Sequence, residues 1–309
     1  MPPIDVSALA RRLPGRPLTR FAPSPTGYLH LGHVVNAVCV WGLARALGGR
    51  VLLRVEDHDR GRSRPEYESA LLEDLEWLGL EPDLGTPEEL RQGPSPFRQS
   101  DSVVHCEHAV ELLAAAGLVF GCDCSRRDID AEAGGSVNRE TRYPGRCRER
   151  GLPLERGGLR LRMAPGEERF TDARLGDQLQ EPALQCGDML LRDRHGNWTY
   201  QLAVVVDDLR QGVDLVIRGE DLLASTGRQL RLARLLGRSA QPVFLHHPLI
   251  RKPDGSKLSK VSGDTGIREL RAAGMRPEEV LGRAAHLVGL QDHARPIAGR
   301  ALAELFGKL

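Results

Sequence analysis

Two histidines three residues apart, His30 and His33, close the stretch RFAPSPTGYLHLGH at residues 20–33, after two prolines and a glycine. Residues at i and i+3 share one face of a helix. Val34, Val35, Val38, Trp41 and Leu43 continue with helical apolar spacing, while Leu18 to Ala22 reads as a short strand. The stretch is therefore a strand-to-helix crossing, where unpaired backbone N–H groups and the positive end of the helix dipole face a ligand. With two imidazoles it forms a cradle for a phosphate chain. Taken alone, a proline-rich turn carrying two solvated histidines accounts for the same residues.

A second cluster is cationic. Only four of the 43 basic residues are lysine, and three of them, Lys252, Lys257 and Lys260, fall within the nine residues KPDGSKLSK. Mobile ammonium groups on a Pro-Asp-Gly turn suit transient neutralisation of a phosphoryl group. No GxxxxGK[ST] phosphate loop occurs in the chain. A third cluster is thiol-bearing: Cys122 and Cys124 are separated by one residue, a spacing that strains disulfide geometry.

These clusters need elements to position them. Residues 50–56 (RVLLRVE) read as a buried strand ending in charge, followed by a helix over 66–78. Another amphipathic helix spans 102–116 before LVF leads into the cysteines. From 121 to 158 the pattern breaks into small and charged residues, which marks an insertion. Short strands follow over 159–193, then DRHGNWTYQLAVVVDD predicts a hairpin with a turn at 194–197 and an apolar strand after it. DLVIRGED at 214–221 is a second buried strand ending in charge, with a helix behind it running through Leu236. Helical segments close the chain at 265–274, 277–289 and 297–308. Strand–helix alternation predicts an α/β fold with a parallel sheet, whose charged strand ends form a ligand-binding crest.

The totals agree. At 309 residues, 40% hydrophobic and 28% charged, the chain can bury a full core, and its net charge of +1 excludes a global polyanion-binding surface. No apolar run approaches a membrane span, and the N-terminal residues lack a secretory core, so no membrane association is expected. Six unevenly spread cysteines suit a reducing cytoplasm. Cys39, Cys106 and Cys186 are isolated and read as packing residues.

PSPTGYLHLGH, RVEDHD (54–59), YQLAVVVDD (200–208), VIRGED (216–221) and KLSK (257–260), in that order, resemble the class I glutamyl-tRNA synthetase family over residues 20–260. HLGH is similar to its HIGH signature and KLSKV to its KMSKS signature. Two departures, Gln201 for the usual histidine and Val204 for the usual asparagine, together with a chain ending about fifty residues after KLSK, resemble the truncated glutamyl-queuosine tRNA(Asp) synthetase branch. That resemblance implies a Rossmann-type parallel sheet with a zinc-binding insertion and a small helical C-terminal region. Its divisions would be 1–120, the insertion 121–158, 159–247 and 248–309, with no anticodon-binding domain.

It also implies ATP-dependent, tRNA-independent activation of L-glutamate, then transfer to queuosine in the anticodon of tRNA-Asp by a cytoplasmic monomer. Arg20, Ala22, Ser24, Glu56, Tyr200 and Arg218 would line the glutamate pocket, the arginines gripping the side-chain carboxylate bidentately. His30, Gly32, His33, Lys257 and Lys260 would hold ATP with Mg²⁺, the histidines and lysines acting in catalysis. Cys122, Cys124, Tyr143 and Cys147 would bind one structural Zn²⁺, with Asp123, a water or a histidine as other fourth ligands. His246 and His247 either approach ATP or support a strand end, and Arg139, Arg142, Arg146, Arg148 and Arg150 either contact RNA or form a solvated face. The rivals are a short conventional glutamyl-tRNA synthetase and a non-catalytic RNA-binding relative; the intact HLGH and KLSK favour an enzyme.

Overall fold

A computed structural model describes residues 1, 4–13, 15–132, 141–155, 157–250 and 266–307. Its strands run in chain order as β1 (Leu18–Phe21), β2 (Arg50–Leu53), β3 (Val119–Cys122), β4 (Gly158–Leu161), β5 (Glu168–Asp172), β6 (Gly176–Gln180), β7 (Met189–Arg192), β8 (Leu215–Gly219) and β9 (Val243–His247). β1 pairs with β2 in parallel from Leu18↔Arg50 to Phe21↔Leu53, and β8 with β9 from Leu215↔Val243 to Gly219↔His247. β1 lies beside β8: Asp214 N–H donates to Leu18 O at 3.1 Å, and Leu18 N–H to Asp214 Oδ1 at 2.8 Å. The central order is therefore β2-β1-β8-β9. β5 adds a parallel bridge, Asp172↔Phe244, and β6 an antiparallel edge. The chain leaves β1 toward one side and β8 toward the other, so the crevice between them is the topological switch point where open α/β sheets bind ligands.

The helix Leu31–Ala46 crosses this crevice and is buried nearly all round. Each fully enclosed valine or leucine, such as Val38 and Leu43, contributes about 2 kcal/mol by leaving water. Its Gly42 admits the 3₁₀ stretch Gly299–Phe306, since a Cβ there would lie 2.5 Å from Phe306 Cε2. A second core forms where β3, β4 and β7 pair antiparallel beneath the helices Val103–Ala115, Tyr200–Arg210 and Thr226–Leu235. A third, small cluster of Phe120, Cys122, Ile129, Tyr143 and Cys147 lies in the cysteine region.

One expectation is corrected. The turn after β7 is present, with Asp193 N–H donating to Asn197 O at 2.9 Å, but Tyr200–Arg210 is a helix and not a strand. Leu202 to Val206 are all buried, because the helix packs on neighbours on several sides. A continuous apolar run carries no period, and here tertiary burial overrides the strand preference of three consecutive valines.

Candidate active site

The residues expected at the crest gather at the C-terminal ends of the four parallel strands. Arg20 lies on β1, Glu56 just beyond β2, Arg218 on β8, and His246 and His247 end β9. Arg54 N–H donates to Phe21 O at 3.0 Å and Glu56 N–H to Pro23 O at 3.1 Å, which carries half-buried Ala22 and Ser24 alongside Glu56. Tyr200 opens the helix that packs across, its ring centroid 6.4 Å from that of His58. Lys257 and Lys260 lie outside the described residues. Gly266, the first described residue after that segment, forms an antiparallel bridge with His30.

Sequence reading missed the group that organises one side of the pocket. Arg54 has no solvent-exposed side-chain surface, and its Nη2 donates to Asp208 Oδ1 at 2.9 Å and Glu56 Oε1 at 3.1 Å. Nη1 donates to Gln211 Oε1 at 2.8 Å, and Asp207 Oδ2 lies 3.8 Å from Nε. Arg20 Nε shares the same Asp208 at 3.0 Å. Burial opposes every charge in this cluster. For Asp208 the two guanidiniums outweigh burial and hold its carboxyl below the usual range; for Glu56 burial prevails over Arg54, His58 and Arg20 and pushes it up. The signal in the sequence was an arginine inside the apolar run LLRVE and two aspartates ending VVVDD, since buried charges demand partners.

Arg218 is different. Its Nε–H donates to His246 Nε2 at 3.0 Å, Nη1 to Gln229 Oε1 at 2.7 Å, and Nη2 to Thr226 Oγ1 at 2.9 Å. Among the described residues no carboxylate pairs with it. Burial lowers its pKa and the Arg20 charge adds to that, against the favourable Tyr200 phenol and the Asp208 carboxylate. Arg218 is thus a desolvated cation whose hydrogen-bond partners are uncharged, and the Tyr200 phenol senses both it and the buried Glu56 carboxylate. That combination suits a zwitterion bearing an extra negative charge.

In HLGH, His30 caps the helix: Gly32 N–H donates to its Nδ1 at 3.0 Å, and His30 N–H donates to His33 Nδ1 at 3.1 Å. Both Nδ1 atoms being acceptors, the rings carry their protons on Nε2. The rings lie 4.0 Å apart. Gly32 is required here, because a Cβ would sit 2.8 Å from His30 Cε1.

The Sγ atoms of Cys122, Cys124 and Cys147 lie within 4.8 Å of one another, with Cys124 to Cys147 at 3.5 Å. Tetrahedral zinc with bonds of about 2.3 Å calls for sulfurs about 3.8 Å apart, so the triad fits the ion. Tyr143 Oη is 3.6 Å from Cys122 Sγ and accepts Cys147 N–H at 2.8 Å. Asp123 Oδ1 approaches Cys147 alone, at 3.1 Å, and its carboxylate is engaged by Arg150 at 2.8 Å. Tyr143 is the better-sited fourth ligand. Arg160 lies over the Tyr143 ring at 3.7 Å and donates to Cys122 Sγ at 3.3 Å. Burial raises the Cys122 thiol, but these hydrogen bonds outweigh it and hold it below the ordinary range, whereas burial pushes Cys124 up to about 12.

The parallel crest, its switch-point crevice and the histidine cradle are those of a class I aminoacyl-tRNA synthetase catalytic domain. The family model "tRNA synthetases class I (E and Q), catalytic domain" matches residues 18–297. The chain is 41% identical over 303 residues to the glutamyl-Q tRNA(Asp) synthetase of Symbiobacterium thermophilum, covering 93% of this chain and 91% of that one. It is 42% identical over 284 residues to that of Rhodobacter capsulatus, covering 85% and 98%. A glutamate tRNA ligase from Elizabethkingia meningosepticum, solved with its amino acid, superposes with a TM-score of 0.76 at 27% identity over 94% of this chain, which spans 64% of that one. Within class I, then, this ligase belongs to the glutamyl-Q tRNA(Asp) synthetase family.

Proposed function

We propose that the protein activates L-glutamate with ATP, in the absence of any tRNA, and passes the glutamyl group to queuosine in the anticodon of tRNA-Asp. In the first step a glutamate α-carboxylate oxygen attacks the α-phosphorus of ATP. The bond to the β-phosphate oxygen breaks, giving glutamyl-adenylate and pyrophosphate. Catalysis is positioning and charge stabilisation, with no covalent enzyme intermediate. Arg218 and Arg20 bind the side-chain carboxylate, Glu56 and Tyr200 the ammonium, and Ala22 and Ser24 line the floor. His30 and His33 hold the nucleotide beside Gly32, and Lys257 and Lys260 neutralise the phosphates, with Mg²⁺ entering on ATP. In the second step a hydroxyl of the queuosine ring attacks the acyl carbon and AMP leaves.

Cys122, Cys124, Cys147 and Tyr143 are the residues to hold one structural zinc, which would staple a segment with few apolar groups of its own. The observation that carries the reading is Arg218, a buried guanidinium held by uncharged partners beside the family's adenylate-forming motifs. No described helix is long and apolar enough to cross a membrane.

The test is ATP–pyrophosphate exchange with glutamate, aspartate or glutamine, with and without RNA, on protein analysed for metal. Exchange with glutamate alone, and one zinc per chain, are expected. Exchange that depends strictly on tRNA-Glu would instead favour a conventional glutamyl-tRNA synthetase. A base-labile glutamate on the anticodon stem-loop, missing from tRNA without queuosine, identifies the acceptor.

A further inference from the structure

Arg218 sits at the end of a hydrogen-bond chain whose direction is fixed by the Asp172 carboxylate. Asp172 closes β5, and its Oδ1 accepts the N–H groups of Arg174 at 3.0 Å and Leu175 at 2.9 Å. Its Oδ2 accepts His246 N–H at 3.0 Å and lies 2.7 Å from His246 Nδ1. Both side chains are fully buried. An ionised carboxylate only accepts, so His246 must carry its proton on Nδ1. Its Nε2 lone pair is thereby turned to Arg218 Nε–H. On the other flank Gln229 Nε2 donates to Gln201 Oε1 at 2.8 Å, which leaves Gln229 Oε1 facing Arg218 Nη1. Gln201 Nε2 donates in turn to Ser225 Oγ at 3.0 Å. Thr226, with no exposed surface, accepts from Nη2.

On this flank the Asp172 carboxylate is thus one imidazole away from the guanidinium, and Asp208 acts on Arg218 only through space, its hydrogen bonds going to Arg20 and Arg54. We propose that His246, Gln229 and Thr226 form a neutral cage that makes the site selective for an acidic side chain: they orient Arg218 through uncharged acceptors only, leaving its charge for the substrate's carboxylate. They are positioning residues, with Asp172 setting the histidine tautomer, and the inference rests on Arg218 being the carboxylate-binding group. A buried cation without an internal counter-ion is costly to keep. The cage is the device that keeps it uncompensated until substrate arrives.

Gln229→Glu breaks the cage with almost no change of shape. It places a carboxylate oxygen at the amide oxygen's position, and Gln201 can turn its amide over to donate to it, because the Ser225 hydroxyl donates as readily as it accepts. The internal carboxylate then competes with substrate. In glutamate-dependent exchange, KM should rise at least about tenfold with kcat within about threefold. The ligand-free variant should melt above the wild type, and its stabilisation by added glutamate should shrink. Gln229→Leu removes the orienting hydrogen bond without supplying charge, so its KM should rise by about fivefold at most and by less than that of Gln229→Glu. Equal KM changes in the two variants, or a wild-type KM in Gln229→Glu, would overturn the proposal. Should Gln229→Glu not fold, Thr226→Asp repeats the test from Nη2; failure of both to fold also overturns it, because an internal carboxylate is then not tolerated beside Arg218. A wild-type protein inactive toward glutamate would instead overturn the reading of the pocket itself.

Discussion

Arg54 and Arg218 stand on opposite flanks of one crevice, each buried, each at the C-terminal end of a parallel strand. Their surroundings diverge completely. Arg54 is packed among Glu56, Asp207 and Asp208, and although burial opposes its charge, those carboxylates outweigh it and raise its pKa. Arg218 meets an imidazole, an amide and a hydroxyl, and burial lowers its pKa. Arg20 stands between, sharing Asp208 with Arg54 while its Nη1 reaches Ile217 O at 3.4 Å on the Arg218 side. Burial of an arginine therefore does not distinguish scaffold from ligand grip. The placement of the acids is what differs: Arg54 is tied to carboxylates of separate elements, and Arg218 is held by neutral groups that leave its charge available to an anion.

The largest effect expected from this contrast is structural. Arg54→Met strands Glu56 and Asp208 in the crevice with one fewer cation, and should cost about 3–5 kcal/mol of unfolding free energy, read from the urea midpoint at constant m-value. Arg218→Met should differ. It removes a costly charge but also leaves three neutral acceptors without their donor, two opposing effects, so the loss of stability should be smaller than that of Arg54→Met. Glutamate-dependent exchange, in contrast, should lose at least about a hundredfold in kcat/KM, the equivalent of about 3 kcal/mol for a desolvated bidentate contact. Two variants with matching losses of stability would erase the distinction between the arginines.

Much of this contrast was legible in the residues, and the illegible part has a physical cause. The strand ends at RVE and VIRGE, the histidine cradle and the cysteine spacing are local patterns, and the parallel crest follows from strand–helix alternation. Arg218 and Arg20 could be singled out because they end apolar strands. Arg54 was passed over because its partners Asp207, Asp208 and Gln211 lie about 150 residues away along the chain, on a helix that the valine run disguised as a strand. The proposed cage of His246, Thr226 and Gln229, with Asp172 behind it, was hidden for the same reason: these residues come from β5, β9 and a helix, with no shared motif. Periodicity reports which face of an element is buried; it is silent on which polar groups of separate elements will meet there.

The smallest effect sharpens the comparison through pH. Burial lowers the pKa of His246, with the nearby Arg218 charge opposing protonation and Asp172 favouring it. In the unfolded chain a histidine titrates near 6.5. As pH falls through that value the unfolded state takes up a proton that folded His246 resists, so its contribution to stability is full above about 6.5 and is lost as pH drops toward its folded value. His247 is lowered by burial in the same sense, while Glu56 and Asp74, raised by burial, the latter to about 6, act with the opposite sign. A wild-type profile alone would therefore mix these terms. The informative quantity is the difference in urea midpoint between wild type and His246→Gln, which supplies a neutral acceptor that does not titrate. That difference should favour wild type most at pH 8 and narrow steadily by pH 5.5. A gap that widens as pH falls would mean that folded His246 is charged, and that Arg218 is oriented by something other than a neutral imidazole.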